Sequence, residues 1–355
     1  MEKINFLGVE KNQKVNLPEN LVFGKNFTTH YFEMDYESSK GWHNPTIKKF
    51  SNFSISPAAL VFHYGQAIFE GLKAYKHSNG KVALFRPDEN FKRMNRSAKR
   101  ICMPELDIEF AINALKELIK LEKDWIPTKP GHSLYIRPVM FAVDPYVGVK
   151  AGDQYKFMIM LSPVGPYYPE GFKPVPILVT DKYVRAVRNG IGDCKTAGNY
   201  AASLLAQREA KKEGYTQVLW LDAITQKNIE EVGTMNIFMN FKDEVATPNL
   251  TGSILPGVTR KSVLQILRDW NYNVNERTIS IDEVVEKYNS GDLVEIFGTG
   301  TAAIISSVGK LKYNDTLMKF SDEKAGELGT KLYEEILGIQ YGEKEDKYNW
   351  MNYLD

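Results

Sequence analysis

Lys195 lies in the run Gly192-Asp-Cys-Lys-Thr-Ala-Gly-Asn-Tyr-Ala201, among small residues and directly ahead of a helix-forming segment. Most lysines are solvated surface charges, but one placed among small neighbours with no adjacent acid can lose its proton and attack a carbonyl. Glu231, in Glu230-Glu-Val-Gly-Thr-Met-Asn-Ile-Phe238, opens onto a second small-residue turn, where a carboxylate can hold a protonated ring nitrogen. Two further segments suit an anion. In Leu255-Pro-Gly-Val-Thr-Arg260, Pro256 and Gly257 break the chain and Thr259 stands at the start of a helix. The exposed N–H groups and the positive end of that helix would face an anion, although the segment taken alone reads more readily as a plain N-cap. In Phe297-Gly-Thr-Gly-Thr-Ala-Ala303 the small residues leave backbone N–H groups open to approach.

The last segment follows the strand-like run Asp292 to Ile296, and so outlines a dinucleotide-binding turn. That turn needs a helix after its final glycine or alanine, whereas Ala303 leads into the β-branched run Ile-Ile-Ser-Ser-Val, which favours a strand. Neither glycine turn ends in G-K-[ST], so a nucleoside triphosphate is not expected. Pyridoxal 5′-phosphate satisfies the whole set, with an aldehyde for the lysine, a phosphate for the two turns and a ring nitrogen for the glutamate.

The elements that would position these residues are readable in outline. Leu72 to His77 and Lys81 to Arg86 read as a hairpin. Asp88 is expected to cap a helix with Phe91, Met94, Ala98 and Ile101 apolar, ended by Pro104, and a second helix begins near Asp107. Strands are expected over Ser133 to Val143 and Tyr155 to Leu161. The Pro/Gly-rich stretch Ser162 to Pro176 follows, and a domain boundary is placed inside it. Past it come a strand over Ile177 to Thr180, a helix over Ala197 to Glu213 and strands over Gln217 to Asp222 and Met235 to Phe241. A helix over Thr259 to Trp270, strands over Leu293 to Phe297 and Ala303 to Val308, and a helix over Ser321 to Leu337 complete the chain. The expected domains are residues 1–165, a linker at 166–176, and residues 177–355, with a site in the cleft between two domains.

The composition sets bounds on function. A chain of 355 residues favours two domains. With 43% hydrophobic and 25% charged residues and a net charge of +1, it has no strong field for nucleic acid or an anionic membrane. No apolar run reaches the roughly 18 residues of a membrane span. The N-terminal MEKINFLGVEKNQ resembles neither a signal nor a transit peptide, and two separated cysteines suit a reducing compartment, so a cytoplasmic location is expected. The five histidines show no ligand spacing, and no metal is expected.

Taken together, Leu21 to His30 (LVFGKNFTTH), Phe62 to Tyr75 (FHYGQAIFEGLKAY), Phe85 to Arg100 (FRPDENFKRMNRSAKR), Leu134 to Pro138 (LYIRP), Lys195 to Ala201 (KTAGNYA), Glu231 to Phe238 (EVGTMNIF), Leu255 to Arg260 (LPGVTR) and Gly298 to Ala302 (GTGTA) resemble the branched-chain amino acid aminotransferases, in family order. The resemblance implies an α/β (α+β) enzyme of fold type IV, with a smaller N-terminal α/β domain and a larger C-terminal, β-barrel-like domain with flanking helices. It implies that Lys195 holds the cofactor and carries the proton, Glu231 partners the ring nitrogen and Tyr200 the phenolic oxygen. Arg93, Val258, Thr259 and Thr301 would hold the phosphate. Phe23, Tyr64 and Tyr135 would line the substrate pocket, with Thr234 and Ala302 at the substrate carboxylate and Arg137 at the second carboxylate of glutamate. By residue type alone, Arg93 reads as one of several solvated basic residues on its helix and the three aromatics as core.

The resemblance also implies a homodimer in which Asp144 to Val149 closes over the partner's site, with Val147 and Val149 completing the apolar pocket. The expected reaction is a ping-pong transfer of the amino group of leucine, isoleucine or valine to 2-oxoglutarate. A D-amino acid aminotransferase or an aminodeoxychorismate lyase shares the lysine and the glutamate, but such relatives are usually shorter and the N-terminal FGKNFTTH region argues against them. Some animal members carry a C-x-x-C pair after GTGTA. Here that region is Ala303-Ile-Ile-Ser306, so no thiol switch is expected, and Cys194 is assigned no role.

Overall fold

The computed structural model describes residues 2–9, 15, 17–166 and 172–354. The chain forms two compact units: residues 1–167, 194–197 and 338–355 make the first, and residues 168–193 and 198–337 the second.

The first unit is built on a nine-stranded sheet. Its path runs Asn5–Leu7, Gly41–Lys49, His30–Glu37, Gln154–Val164, Ser133–Ala142, Leu72–Lys76, Val82–Phe85 and Met351–Tyr353, with Ala67–Phe69 pairing onto Ser133–Ala142. The expected hairpin is present, with Ala74 opposite Leu84. Two helices, Pro87–Arg100 and Ile108–Leu121, lay their apolar stripes on the sheet. Phe91, Met94, Ala98, Ala114, Leu115 and Leu118 share one core with Phe32, Ile47, Leu72, Leu134 and Ile136, all fully buried or nearly so. The second helix is capped as expected, the Asp107 carboxylate accepting from the Phe110 N–H at 3.0 Å.

The first helix corrects an expectation. Its N-cap is Arg86, held in the left-handed region at φ 49°, and Asp88 falls inside the first turn. Pro87 decides this, because a proline suits the first helical position, where no N–H partner is needed. Asp88 instead pairs with Lys92 one turn on, at 2.8 Å.

In the second unit the sheet path is Ile229–Val232, Gln217–Leu221, Val175–Thr180, Ile304–Tyr313, Leu293–Gly300, Asn236–Phe241, Val245–Pro248 and Val274–Arg277, with Thr316–Lys319 on Ile304–Tyr313. An isolated bridge from Val232 to Met235 brings the first strand of that path back to the edge of the sixth, so the sheet curls. Helix Ala197–Lys212 packs Ala206 and Ala210 on Val218 and Trp220. Helix Val258–Asp269 buries Val263, Ile266 and Leu267.

Three boundaries differ from the sequence reading. The C-terminal residues, grouped above with the second domain, belong to the first unit, because Met351–Tyr353 adds to its sheet opposite Val82–Phe85. Of the expected linker, residues 167–171 lie outside the described residues, and Val175 and Pro176 already belong to a strand. The last helix begins at Glu327, after Ser321 has bonded the N–H groups of Glu323 and Lys324 in a local turn. Among the described residues no helix is long and apolar enough to cross a membrane.

Candidate active site

Each unit carries one group of the residues singled out above. In the first, helix Pro87–Arg100 presents Asn90, Arg93 and Ser97 along one buried stripe at helical spacing. The other basic residues of this helix, Lys92, Arg96, Lys99 and Arg100, face solvent, whereas Arg93 is 3% exposed. Its Nε and Nη2 reach the two carboxylate oxygens of Glu70 at 2.7 and 2.8 Å, and Asn90 Nδ2 adds a bond of 2.9 Å. Glu70 has no exposed surface. Burial pushes its carboxyl up, but the Arg93 charge and hydrogen bonds, the Lys195 charge and the Asn90 bond together hold it below the usual range.

Lys195 is fixed through its backbone. Its N–H donates to Ser97 Oγ at 2.9 Å and its carbonyl accepts from the Phe69 N–H at 3.0 Å. Thr196 donates to the Ala67 carbonyl at 2.8 Å. The short segment Cys194–Ala197 is therefore tied to Ala67–Phe69 and to the helix that carries Arg93. The Lys195 amine stands 5.0 Å from the centre of the Phe69 ring, and the Arg137 guanidinium 4.8 Å from the same ring. Arg137 Nη2 donates to the Tyr135 hydroxyl at 2.9 Å, and its Nε is a buried donor without a hydrogen-bond partner among the described residues.

Tyr135 meets Phe23 edge to face at 4.7 Å. It approaches Gly71 so closely that a Cβ there would lie 2.2 Å from the Tyr135 oxygen. Phe23, Tyr135, Arg137, Phe69 and Lys195 thus form one connected group. Tyr64 forms another by donating its hydroxyl to the Val147 carbonyl. Val147 and Val149 are 63% and 84% exposed.

In the second unit Glu231 lies on the strand Ile229–Val232, 3% exposed. Its Oε1 accepts from the Leu255 N–H at 2.7 Å and from Asn236 Nδ2 at 3.4 Å, and its Oε2 is 3.1 Å from Arg185 Nε. Asn236 Nδ2 also reaches the Leu255 carbonyl at 2.9 Å, which ties the carboxylate to the turn before helix Val258–Asp269. That helix has Gly257 at its N-cap and no side-chain capping bond, with Val258 and Thr259 at its first two positions. A Cβ on Gly257 would lie 2.0 Å from Asn236 Oδ1, so only glycine leaves the approach to the helix end open.

The GTGTA run is placed differently from a plain turn. Gly298 and Gly300 belong to the strand Leu293–Gly300, and Thr301, Ala302 and Ala303 make the turn into Ile304–Tyr313. A Cβ on either glycine would crowd Met235, at 3.0 and 3.1 Å. The strand also lies beside Asn236, which pairs with Thr299. Ile304 takes up φ 64°, a conformation a β-branched residue adopts only under constraint. Thr234 is exposed in the turn after Glu231, and Tyr200 is half-buried on helix Ala197–Lys212.

The donor set fits pyridoxal phosphate. The first unit offers an amine and a buried guanidinium. The second offers a buried carboxylate, an uncapped helix N-terminus and a glycine cradle that a side chain would fill. Sequence reasoning missed Glu70, Ser97, Phe69, Arg185 and Asn236. Asn90, Arg93 and Ser97 do share helical spacing, but Glu70 and Arg185 carry no local signal at all.

A lysine amine and a buried guanidinium in one unit, and a buried carboxylate beside an uncapped helix end in the other, are the kinds of group that amino-group transfer uses. Residues 67–311 match the family model for class IV amino-transferases, and the chain belongs to that family. It is 52% identical to a probable branched-chain-amino-acid aminotransferase of Staphylococcus epidermidis, covering 98% of both chains. It is 53% identical to branched-chain-amino-acid transaminase 1 of Bacillus subtilis, covering 94% of both. Among solved structures, the Escherichia coli branched-chain amino acid aminotransferase superposes with a TM-score of 0.77 at 25% identity, covering 92% of this chain and all of that one. A second solved branched-chain amino acid aminotransferase, from T.th. and bound to pyridoxamine 5′-phosphate, gives 0.76 at 25% identity, over 93% of this chain and 100% of its own. The fold is that of these enzymes, and the cofactor is pyridoxal 5′-phosphate.

The buried Glu70–Arg93 pair yields a stability prediction. Glu70→Ala removes the carboxylate that the buried Arg93 and Asn90 bond and is expected to cost about 3 to 5 kcal/mol. Urea denaturation checks it, and an unchanged midpoint would remove the pair from any structural role.

Proposed function

We propose that the chain is a branched-chain amino acid aminotransferase that moves the amino group of L-leucine, L-isoleucine or L-valine to 2-oxoglutarate, reversibly and by a ping-pong route. The observation that carries this reading is the placement of Lys195 and Arg137 on one aromatic ring, Phe69. A reactive amine and a guanidinium held together answer to a substrate with an amino-bearing carbon at one end and, in glutamate, a carboxylate at the other. The full-length likeness to branched-chain-amino-acid aminotransferases supports aliphatic side chains as the other occupants.

Bound pyridoxal phosphate supplies an aldehyde for the amino group and a protonated ring that draws electrons from the substrate's α-carbon. Lys195 Nζ would hold the cofactor through that aldehyde, and the same amine would carry the proton at the substrate's α-carbon. Glu231, fixed by Leu255, Asn236 and Arg185, would be the partner of the ring nitrogen, where a carboxylate favours the protonated ring. Arg93, the N–H groups of Val258 and Thr259, and Thr301 take the phosphate, and Tyr200 the phenolic oxygen. Thr234 and Ala302 take the substrate carboxylate.

Arg137 resolves the demand for two kinds of side chain. Phe69 and Tyr135 cover its faces at 4.8 and 5.4 Å, which leaves an apolar wall for leucine while the guanidinium edge stays available to a carboxylate. Phe23 and Tyr64 extend the wall. The exposed Tyr64, Val147 and Val149 are the surface that a second copy would cover, with the Asp144 to Val149 loop completing the partner's pocket in a cytoplasmic homodimer.

Three measurements test the reading. With leucine and 2-oxoglutarate, Lys195→Ala is expected to lose multiple turnover, and retained turnover would overturn the central assignment. Arg137→Met should raise KM for 2-oxoglutarate about 10- to 100-fold, the loss of a charged hydrogen-bonded pair, while sparing the leucine half-reaction. Equal losses in both half-reactions would place Arg137 elsewhere. Light scattering is expected to give twice the mass of one chain, and a monomer that is fully active would remove the shared loop.

A further inference from the structure

Glu230 and Glu231 are neighbours on one strand, and their side chains leave it on opposite faces. Glu231 belongs to the site described above. Glu230 lines a cavity of about 250 Å³ within the second unit, together with Arg188, Asp222, Ile224, Asn249 and Ile254. Nothing in the aminotransferase chemistry uses it.

The Glu230 carboxyl is 6% exposed. Ser253 Oγ donates to its Oε1. Its Oε2 is buried with no hydrogen-bond partner, and no ion pair reaches the group among the described residues. Arg185, a buried cation of the same unit, is engaged by Glu231 and by the carbonyls of Gly192 and Ser253. A buried carboxylate oxygen without a donor costs free energy that a bound cation or donor would recover. Ile224, Ile229 and Ile254 line the same cavity and give it apolar wall. Its volume is near the lower end of small-molecule sites and admits a ligand of a few carbons.

We propose that this cavity binds a small aliphatic primary ammonium compound, with the ammonium at the Glu230 carboxyl, a rotation of which turns Oε2 into the cavity, and the carbon chain against Ile224 and Ile254. An ammonium is favoured over a neutral donor because Glu230 makes no ion pair among the described residues and a charge-assisted bond is about twice as strong as a neutral one. Asp222 does not compete for the ammonium, since its oxygens are taken by the N–H groups of Thr225, Lys227 and Asn228 and by the Thr225 hydroxyl.

The site is pH-sensitive in a stated direction. Burial pushes Glu230 up to about 6, with the charges of Glu231 and Asp222 adding to the rise and Ser253 and Arg185 opposing it. Arg188 is the remaining charged group that lines the cavity. An ammonium ligand needs the ionised carboxyl, so binding is present above that value and weakens as the pH falls through it.

The test is calorimetric titration of n-butylammonium chloride into the holoenzyme in its pyridoxamine form, where no cofactor aldehyde is present to react with the amine. Saturable binding is expected at pH 7.5, about fourfold weaker at pH 5.5, and at least about tenfold weaker in Glu230→Gln. Ile224→Trp, at a position 83% exposed, narrows the mouth without disturbing the core and is expected to weaken binding with amino-group transfer unchanged. This second variant decides the matter if Glu230→Gln does not fold. Absence of saturable binding, or binding that neither variant alters, overturns the proposal. Either result leaves the roles of Lys195 and Arg137 untouched, because those are read from turnover.

Discussion

A carboxylate with no exposed surface keeps its charge only if neighbouring groups replace the water it has lost, and in the first unit that carboxylate is Glu70. Arg93 covers both oxygens and Asn90 one, so the cost of burial is met within a cluster whose members come from two elements. The consequences spread outward. Holding Glu70 fixes its two neighbours in the connection between strands Ala67–Phe69 and Leu72–Lys76, namely Phe69 and Gly71. Phe69 takes the backbone of Lys195 and gives its ring to the Lys195 amine and to Arg137, while Gly71 leaves room for the Tyr135 ring. The same helix stripe that supplies Asn90 and Arg93 supplies Ser97 to the Lys195 N–H. The reactive lysine is thereby positioned by backbone bonds, and its side chain is left to do chemistry.

The second unit repeats the principle with different parts. Glu231 is buried, and a backbone N–H, an asparagine and an arginine surround its carboxyl. Asn236 is the hinge of that arrangement. It bonds both the carboxylate and the Leu255 carbonyl, and its oxygen occupies the place a side chain on Gly257 would need. An electrostatic requirement at Glu231 and a steric requirement at the helix N-terminus are thus met by one side chain. The neighbouring Glu230, on the opposite face of the strand, lacks such a cluster, and its raised proton affinity measures the difference.

Much of the fold was legible because it rests on local rules. The apolar spacing of Phe91, Met94 and Ala98, the Asp107 cap and the hairpin of Leu72 to His77 with Lys81 to Arg86 each depend on residues close in sequence. The errors fell where a competing local rule or a distant partner won. Pro87 moved the helix start away from Asp88, the Val82–Phe85 edge recruited Met351–Tyr353 from the end of the chain, and Gly298 and Gly300 entered a strand because Asn236–Phe241 and Ile304–Tyr313 pair with it on both sides.

By itself the sequence determined the kinds of chemistry available: an amine among small residues, a carboxylate before a turn, glycines ahead of a helix, and no histidine or cysteine pattern for a metal. Residue type and near spacing are sufficient for that. Only the tertiary structure decided which of five basic residues on one helix is buried, which acid it meets and which ring Lys195 shares with Arg137. Such choices pair residues far apart in sequence, 23 positions for Glu70 and Arg93 and 98 for Ser97 and Lys195. No periodicity encodes such distances. They are set when burial makes an unpaired charge too costly and the chain must bring a partner to it.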